Sequence, residues 1–198
     1  CYLKPPICVI CGKPKDGYFR GNLCEDCSKE PPPFNLARSV ALYEGVLKEA
    51  IHKFKFNGKR SLSEKFGGIL IDYLNRQELS VKSIDVIIPI PLSKQRERER
   101  GYNQSQLLGE AISKEYGIKI DDQTLKKVKN IKPQFELQRQ ERLTNVKGAY
   151  FASDVQGLNI LLIDDIYTTG ATVSEASRVL MEAGANKIYV LTLARAIE

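Results

Sequence analysis

Two spacings of hydrophobic and polar positions organise the chain. From residue 158 to 163 the apolar stretch is interrupted by Asn159 alone, as a parallel strand buried on both faces requires. Comparable short runs predict strands at 39–44, 84–90, 125–128, 149–152 and 188–193. Between them the period lengthens to that of a helix. Val46, Leu47, Ala50, Ile51 and Phe54 share a face over 46–56, and Asn57-Gly58 closes that segment. Helices are also predicted over 62–74, over 103–116 with a stop at Gly117, and over 173–183. Strands that alternate with helices predict a parallel sheet flanked by helices, an α/β fold.

The strand at 158–163 runs straight into Asp164 and Asp165, followed by Ile166-Tyr167-Thr168-Thr169-Gly170-Ala171-Thr172. Ligands of open α/β sheets bind beyond the carboxyl ends of the strands, where carboxylates accept hydrogen bonds from sugar hydroxyls. Thr168, Thr169 and Thr172 offer hydroxyls, Gly170 permits a tight turn, and the helix that follows points its amino terminus at the loop. An apolar run ending on two acids also suits a Walker B strand, yet no G-x-x-x-x-G-K-[ST] stands anywhere in the chain. A simple strand-turn-helix with an aspartate cap is the plainer alternative. The segment resembles the phosphoribosyl-pyrophosphate (PRPP) signature of type I phosphoribosyltransferases. That resemblance implies that Asp164 and Asp165 are catalytic residues holding the ribose hydroxyls, and that Thr168, Thr169, Gly170, Ala171 and Thr172 wrap the 5-phosphate.

The chain's 198 residues and 42% apolar content suit one α/β domain with a small appendage. No apolar stretch is long enough to cross a bilayer, and the opening Cys1-Tyr2-Leu3-Lys4-Pro5-Pro6 lacks the apolar core of a signal peptide. A cytoplasmic location without membrane insertion is therefore expected. All five cysteines precede residue 28, four of them as Cys8-x-x-Cys11 and Cys24-x-x-Cys27. Four thiolates from two such knuckles satisfy tetrahedral Zn²⁺, and Gly12 suits the first knuckle; the alternative, a pair of disulfides, is disfavoured in the cytosol. Cys1 is left over as a free thiol or a further ligand. Pro31-Pro32-Pro33 reads as a stiff linker, which divides the chain into a zinc ribbon with linker at 1–33 and an α/β domain at 34–198.

A second constellation follows the strand at 84–90. Pro91-Leu92-Ser93-Lys94-Gln95-Arg96-Glu97-Arg98-Glu99-Arg100-Gly101-Tyr102-Asn103-Gln104 combines a turn, a cluster of cations and a fresh helix start, a combination fit to meet a pyrophosphate. Arg/Glu alternation equally suits a solvated helix face. The pyrophosphate-binding candidates are Lys55, Ser93, Arg100, Gly101 and Asn103. His52 is read as structural or exposed. The excess charge of +6 concentrates between 125 and 147, where Lys126, Lys127, Lys129, Lys132, Arg139, Arg142 and Lys147 stand against Glu136 and Glu141. Three readings of that segment stay open: a mobile lid over PRPP, a track for a nucleic-acid backbone with Tyr102, Phe135 and Tyr150 as stacking platforms, or a solvated surface.

Taken together, the cysteine pairs, Lys55-Phe56-x-Gly58, Pro89-x-Pro91, Arg100-Gly101-Tyr102-Asn103-Gln104, Gln134, Arg139, Arg142, Asn145-Val146-x-Gly148 and the Asp164-Asp165 loop resemble the ComF competence proteins, whose relatives include GntX. The resemblance spans nearly the whole chain. It implies a zinc ribbon fused to a type I phosphoribosyltransferase-like domain, with structural Zn²⁺, Mg²⁺ accompanying PRPP or a related ribose phosphate, and work in the uptake and processing of single-stranded DNA alongside other competence proteins. Two functions stay open: transfer of phosphoribose to an acceptor, and a non-catalytic, nucleotide-sensing adaptor that binds single-stranded DNA and partners. Oligomeric state and acceptor are not legible.

Overall fold

The computed structural model describes residues 3, 5–15, 19–56, 58–76, 81–128 and 146–197. Short strands β1 (Phe19–Arg20) and β2 (Leu23–Cys24) pair antiparallel and lead into α1 (Glu25–Lys29). Then come β3 (Leu36–Leu42), α2 (Gly45–Phe56), α3 (Leu62–Arg76), β4 (Val86–Pro89), α4 (Lys94–Arg100), α5 (Gln104–Tyr116) and β5 (Lys119–Ile120). The remaining elements are β6 (Leu125–Lys127), β7 (Tyr150–Ala152), β8 (Asn159–Tyr167), α6 (Ala171–Glu182) and β9 (Lys187–Arg195).

Five strands form one parallel sheet in the order β3-β9-β8-β4-β5. Its side chains alternate between two buried clusters, as the two-residue period of a strand dictates. Ile160 and Leu162 of β8 join Val86, Ile88, Ile188 and Val190 against α6. Leu161 and Ile163 turn the other way and pack with Ile87, Leu191 and Leu193 against α2, α3 and α5. The expected α/β fold, a parallel sheet with helices on both faces, is the one observed.

Several boundaries differ from the sequence reading. The runs at 125–128 and 149–152 do not enter the parallel sheet; β6 and β7 pair with each other, antiparallel, as a separate two-stranded ribbon. The strand holding Asp164 and Asp165 does not stop at Ile163. It continues to Tyr167 because β9 runs beside it the whole way, pairing Asp164 with Thr192 and Tyr167 with Arg195. The stretch after β4 is a helix, α4, capped by Ser93, whose hydroxyl accepts from the Arg96 amide. β3 begins at Leu36 rather than 39, and β5 had no apolar run to announce it.

The cysteine-bearing segment packs on the sheet. The Ala37 amide donates to the Ile10 carbonyl at 2.7 Å, and Arg38 reaches back to the Val9 carbonyl at 3.2 Å. Gly12 takes φ +73°, and a Cβ there would stand 2.8 Å from the Ala37 carbonyl oxygen. Positive φ and close backbone approach together reserve that position for glycine. The buried cysteines belong to the same cluster as the outer face of β4 and β8.

Asn103 fixes the start of α5. Its Oδ1 accepts from the Ser105 amide at 3.0 Å and its Nδ2 donates to the Ile90 carbonyl at 3.0 Å, tying the helix to the end of β4. Asn103→Ala removes both bonds and is expected to lower the unfolding free energy by about 1–2 kcal/mol, read as a lower denaturant midpoint at unchanged slope. Asn103→Asp keeps the capping acceptor and should fall between the two.

Candidate functional site

The sheet changes winding direction between β4 and β8: from β4 the chain moves outward to β5, from β8 the other way to β9. A crevice opens at such a switch point, beyond the carboxyl ends of the strands. β4 covers β8 only as far as Ile163, which pairs with Pro89. Asp164 and Asp165 are therefore the first residues of β8 past that cover, and they line a cavity of about 660 Å³.

The two carboxylates are held differently. Asp165 is 6% exposed and its Oδ2 lies 2.9 Å from Lys55 Nζ, brought there from α2. Among the described residues no cation forms an ion pair with Asp164. Its Oδ1 accepts from Ser105 Oγ at 3.0 Å and from the Asp165 amide at 2.8 Å. Burial and the neighbouring Asp165 charge push the Asp164 carboxyl up to about 7, despite the nearby Lys55.

Cations line the same cavity as Asp164. Arg96 and Arg100, one helical turn apart on α4, face the cavity, whereas Arg98 between them is exposed. Arg100 donates to Gln104 Oε1 at 2.8 Å and stacks 4.9 Å from the centroid of the Phe56 ring. Lys127, on β6, joins them. Burial lowers the Lys127 ammonium to about 8, and the charges of Arg96 and Arg100 push the same way against the pull of Asp164.

The Thr/Gly turn closes the remaining end. Thr168, Gly170 and Thr172 line the cavity, with Gly170 at φ +82° as the cap of α6. The space beside Gly170 is taken by Tyr167, whose hydroxyl would stand 2.3 Å from any Cβ built at 170.

Of the site residues read from the sequence, the structure thus brings Lys55, Arg100, Asp164, Asp165, Thr168, Gly170 and Thr172 to one cavity. Thr169 faces a second cavity behind the turn, and its Oγ1 accepts from the Ala171 amide at 3.3 Å. Ala171 is buried. Ser93, Gly101 and Asn103 do not line the cavity; Ser93 caps α4, Gly101 ends it, and Asn103 caps α5. The exposed His52 does line it. Sequence reasoning missed Ser105 and had no individual role for Lys127. The four-residue interval from Arg96 to Arg100, once placed on a helix, is the signal that separates them from Arg98.

One stacking candidate is corrected, since Tyr150 is 4% exposed. Tyr102 is half-buried, packs its ring on Phe54 and donates from its hydroxyl to the Phe54 carbonyl at 2.6 Å. Phe135, residues 129–145 of the lid segment 125–147 and the family marks Gln134, Arg139, Arg142 and Asn145 lie outside the described residues, as does Cys1.

Cys8, Cys11, Cys24 and Cys27 converge, all buried, with their sulfurs within 4.8 Å of one another. They are free thiols rather than disulfides; Cys11 and Cys24 Sγ are 3.6 Å apart. Four sulfurs each about 2.3 Å from a tetrahedral Zn²⁺ stand about 3.8 Å apart, so the cluster fits such an ion. A hydrogen bond with Cys27, reinforced by Arg195, holds the Cys11 thiol down to about 5, while burial raises Cys24 to about 11.

The chain is 32% identical to the competence protein ComFC of Bacillus subtilis over 199 residues, covering 96% of this chain and 78% of that protein. The chain belongs to the ComF competence family. Other relatives at 30% identity are the DNA utilization protein YhgH of Salmonella typhimurium and competence protein F of Haemophilus influenzae, each match covering 96% of this chain and 85% of the relative. No family model matches. Adenine phosphoribosyltransferase from Leishmania tarentolae overlaps 71% of the chain, and 73% of its own, with a TM-score of 0.41 at 11% identity, too shallow an overlap to carry a functional reading. No described helix is long and apolar enough to cross a membrane.

The raised Asp164 carboxyl gives this ComF-family site a pH signature. In the unfolded chain the group titrates near its ordinary 3.8, in the folded chain near 7. Its ionisation therefore removes stability as pH rises through that window, and the loss is complete above it. Asp164→Asn keeps the acceptor for Ser105 and carries no charge. It should melt several degrees higher than the parent at pH 8, about 2–4 °C for each kcal/mol relieved, and the gain should vanish as pH is lowered toward 4. A lower melting temperature at pH 8 would refute the assignment.

Proposed function

We propose that this ComF-family protein binds PRPP or a closely related ribose 5-phosphate ester in the crevice between β4 and β8, and transfers phosphoribose to an acceptor. The observation that carries this reading is the set of groups gathered in a single cavity: a threonine-glycine turn, two carboxylates, and the cations Arg96, Arg100 and Lys127. A sugar that carries hydroxyls, a phosphate and a diphosphate calls for that set of partners.

In this reading the turn at 168–172 takes the 5-phosphate, with Gly170 supplying the positive φ of the bend and the amino terminus of α6 behind it. Asp164 and Asp165 accept hydrogen bonds from the ribose hydroxyls and hold the sugar in one orientation, the main requirement of a displacement at its anomeric carbon. Arg96, Arg100 and Lys127 offset the charge that accumulates on the departing diphosphate; Lys55 holds Asp165 in place through their ion pair. The incompletely neutralised carboxylates also offer the oxygen donors that a Mg²⁺ ion takes, and such an ion, when bound, neutralises the diphosphate. The four thiolates hold a structural Zn²⁺, the segments 1–33 and 34–198 form two sequence modules, and the site of action is the cytoplasm.

Calorimetric titration with PRPP and Mg²⁺ is expected to show one site. Asp164→Asn combined with Asp165→Asn should lose that binding, by at least about a hundredfold, while keeping the folded circular-dichroism spectrum. A wild-type chain that binds neither PRPP nor ribose 5-phosphate at millimolar concentration would defeat the reading.

A second reading is favoured by the relatives' names and by the +5 segment at 125–147, seven cations against two acids. There the cavity senses a nucleotide while the basic segment grips single-stranded DNA, aided by competence partners. Contact through phosphates requires affinity that falls steeply with salt. Binding of a labelled oligonucleotide measured from 50 to 200 mM salt should then weaken by about tenfold or more, and affinity indifferent to salt would exclude this grip.

A further inference from the structure

Tyr167 and Arg195 stand opposite each other in register at the ends of β8 and β9. Both are buried, at 6% and 5% exposure, and the guanidinium carbon lies 4.1 Å from the centroid of the Tyr167 ring. Each residue also has a contact on its far side. Arg195 Nη1 donates to the Cys11 carbonyl at 2.8 Å, and Nη2 approaches Cys11 Sγ at 3.5 Å. Tyr167 presses its hydroxyl into the bend at Gly170, where it occupies the place of a Cβ. The Ala196 amide donates to the Tyr167 carbonyl at 2.9 Å and locks the two strand ends together.

An unbroken series of contacts therefore runs from the cysteine cluster, through a planar cation and an aromatic ring, to the turn that lines the cavity. Packed interiors transmit displacement because they have no slack. A zinc ion held by four thiolates fixes Cys11 and gives the cluster a net double negative charge, which a buried guanidinium needs as its counterpart. Lysine does not substitute for this arginine, since only the planar fork bonds Cys11 twice while stacking on a ring.

We propose that Arg195 and Tyr167 are positioning residues for the turn at 168–170, and that filling the four-cysteine site with zinc tightens that turn around a sugar phosphate. The inference rests on the reading of the cavity as a ribose phosphate site. It makes the ribbon a determinant of affinity rather than an independent attachment. Linkage then requires the converse: ribose 5-phosphate raises zinc affinity by the factor that zinc raises ribose 5-phosphate affinity.

The test is a cycle of two perturbations, with ribose 5-phosphate as the titrant in calorimetry and amide hydrogen exchange at 168–170 as a readout free of ligand. Chelation of zinc from the wild-type chain and Arg195→Met in the zinc-loaded chain should each weaken ribose 5-phosphate binding by about tenfold and speed exchange at the turn. Arg195→Met should retain one zinc, and chelating it should add little further loss, because the connection is already cut. Tyr167→Leu, which removes the ring and leaves the cysteines untouched, serves if Arg195→Met does not fold, with the same expectation. Zinc-loaded wild-type chain that binds no ribose 5-phosphate overturns the cavity reading and this proposal with it. Binding that is unchanged, within twofold, by chelation and by both variants, with exchange at the turn unaltered, overturns this proposal alone.

Discussion

Two adjacent carboxylates held where β8 outruns β4 set the conditions for everything around them. Removing charge from water costs several kcal/mol unless a partner restores it, and the fold restores it for one aspartate only. Lys55 reaches Asp165 at 2.9 Å, while Asp164 receives a hydroxyl and an amide, dipoles that stabilise a charge without cancelling it. Such a residue is tolerated in a stable protein when its environment is completed from outside, and groups displaced from their ordinary ionisation gather at functional sites for this reason. The elements nearby take their positions accordingly: α5 begins where Ser105 meets Asp164, and α2 ends where Lys55 meets Asp165.

The parallel sheet makes that placement possible. A strand covered on both sides to its end would bury the pair among backbone partners, and an edge strand would expose both to water. β8 lies in the middle of the sheet, so its residues 160–163 are apolar and buried, yet the stagger against β4 opens its last residues on one side while β9 supports them on the other. The same support carries the connection to the ribbon. Since β9 accompanies β8 as far as Tyr167, Arg195 arrives beside Tyr167 and faces Cys11, and the cysteine cluster shares its core with the sheet.

The parts of this arrangement visible in the sequence are those carried by contiguous residues. A continuous apolar run ending on two acids, and two C-x-x-C pairs, declare themselves without knowledge of the fold. The parts that were not visible depend on register between distant strands or on which face of a helix a residue takes. Arg96, Arg98 and Arg100 are equivalent in the sequence until α4 exists; then two of them face the cavity and the third faces water. Tyr150 reads as a stacking platform because aromatic residues among cations suggest stacking, and tertiary packing overrode that local signal. Tyr167 and Arg195 are 28 positions apart, and only the pairing of β8 with β9 makes them neighbours.

The distribution of charge also bears on which proposed ligand suits the cavity. It holds both cations and carboxylates, and Lys55 is spent on an ion pair with one of the acids. A polyanion such as a nucleic-acid strand repeats phosphate after phosphate, and the aspartates would repel it wherever it crossed the middle of the crevice. A single sugar carries hydroxyls at its centre and phosphates at its ends, so donors meet the carboxylates and anions meet the cations and the turn. The volume, about 660 Å³, is that of a site for one small molecule. If the protein also holds DNA, physical economy places the strand outside this crevice, against the basic segment, leaving the cavity to the sugar phosphate.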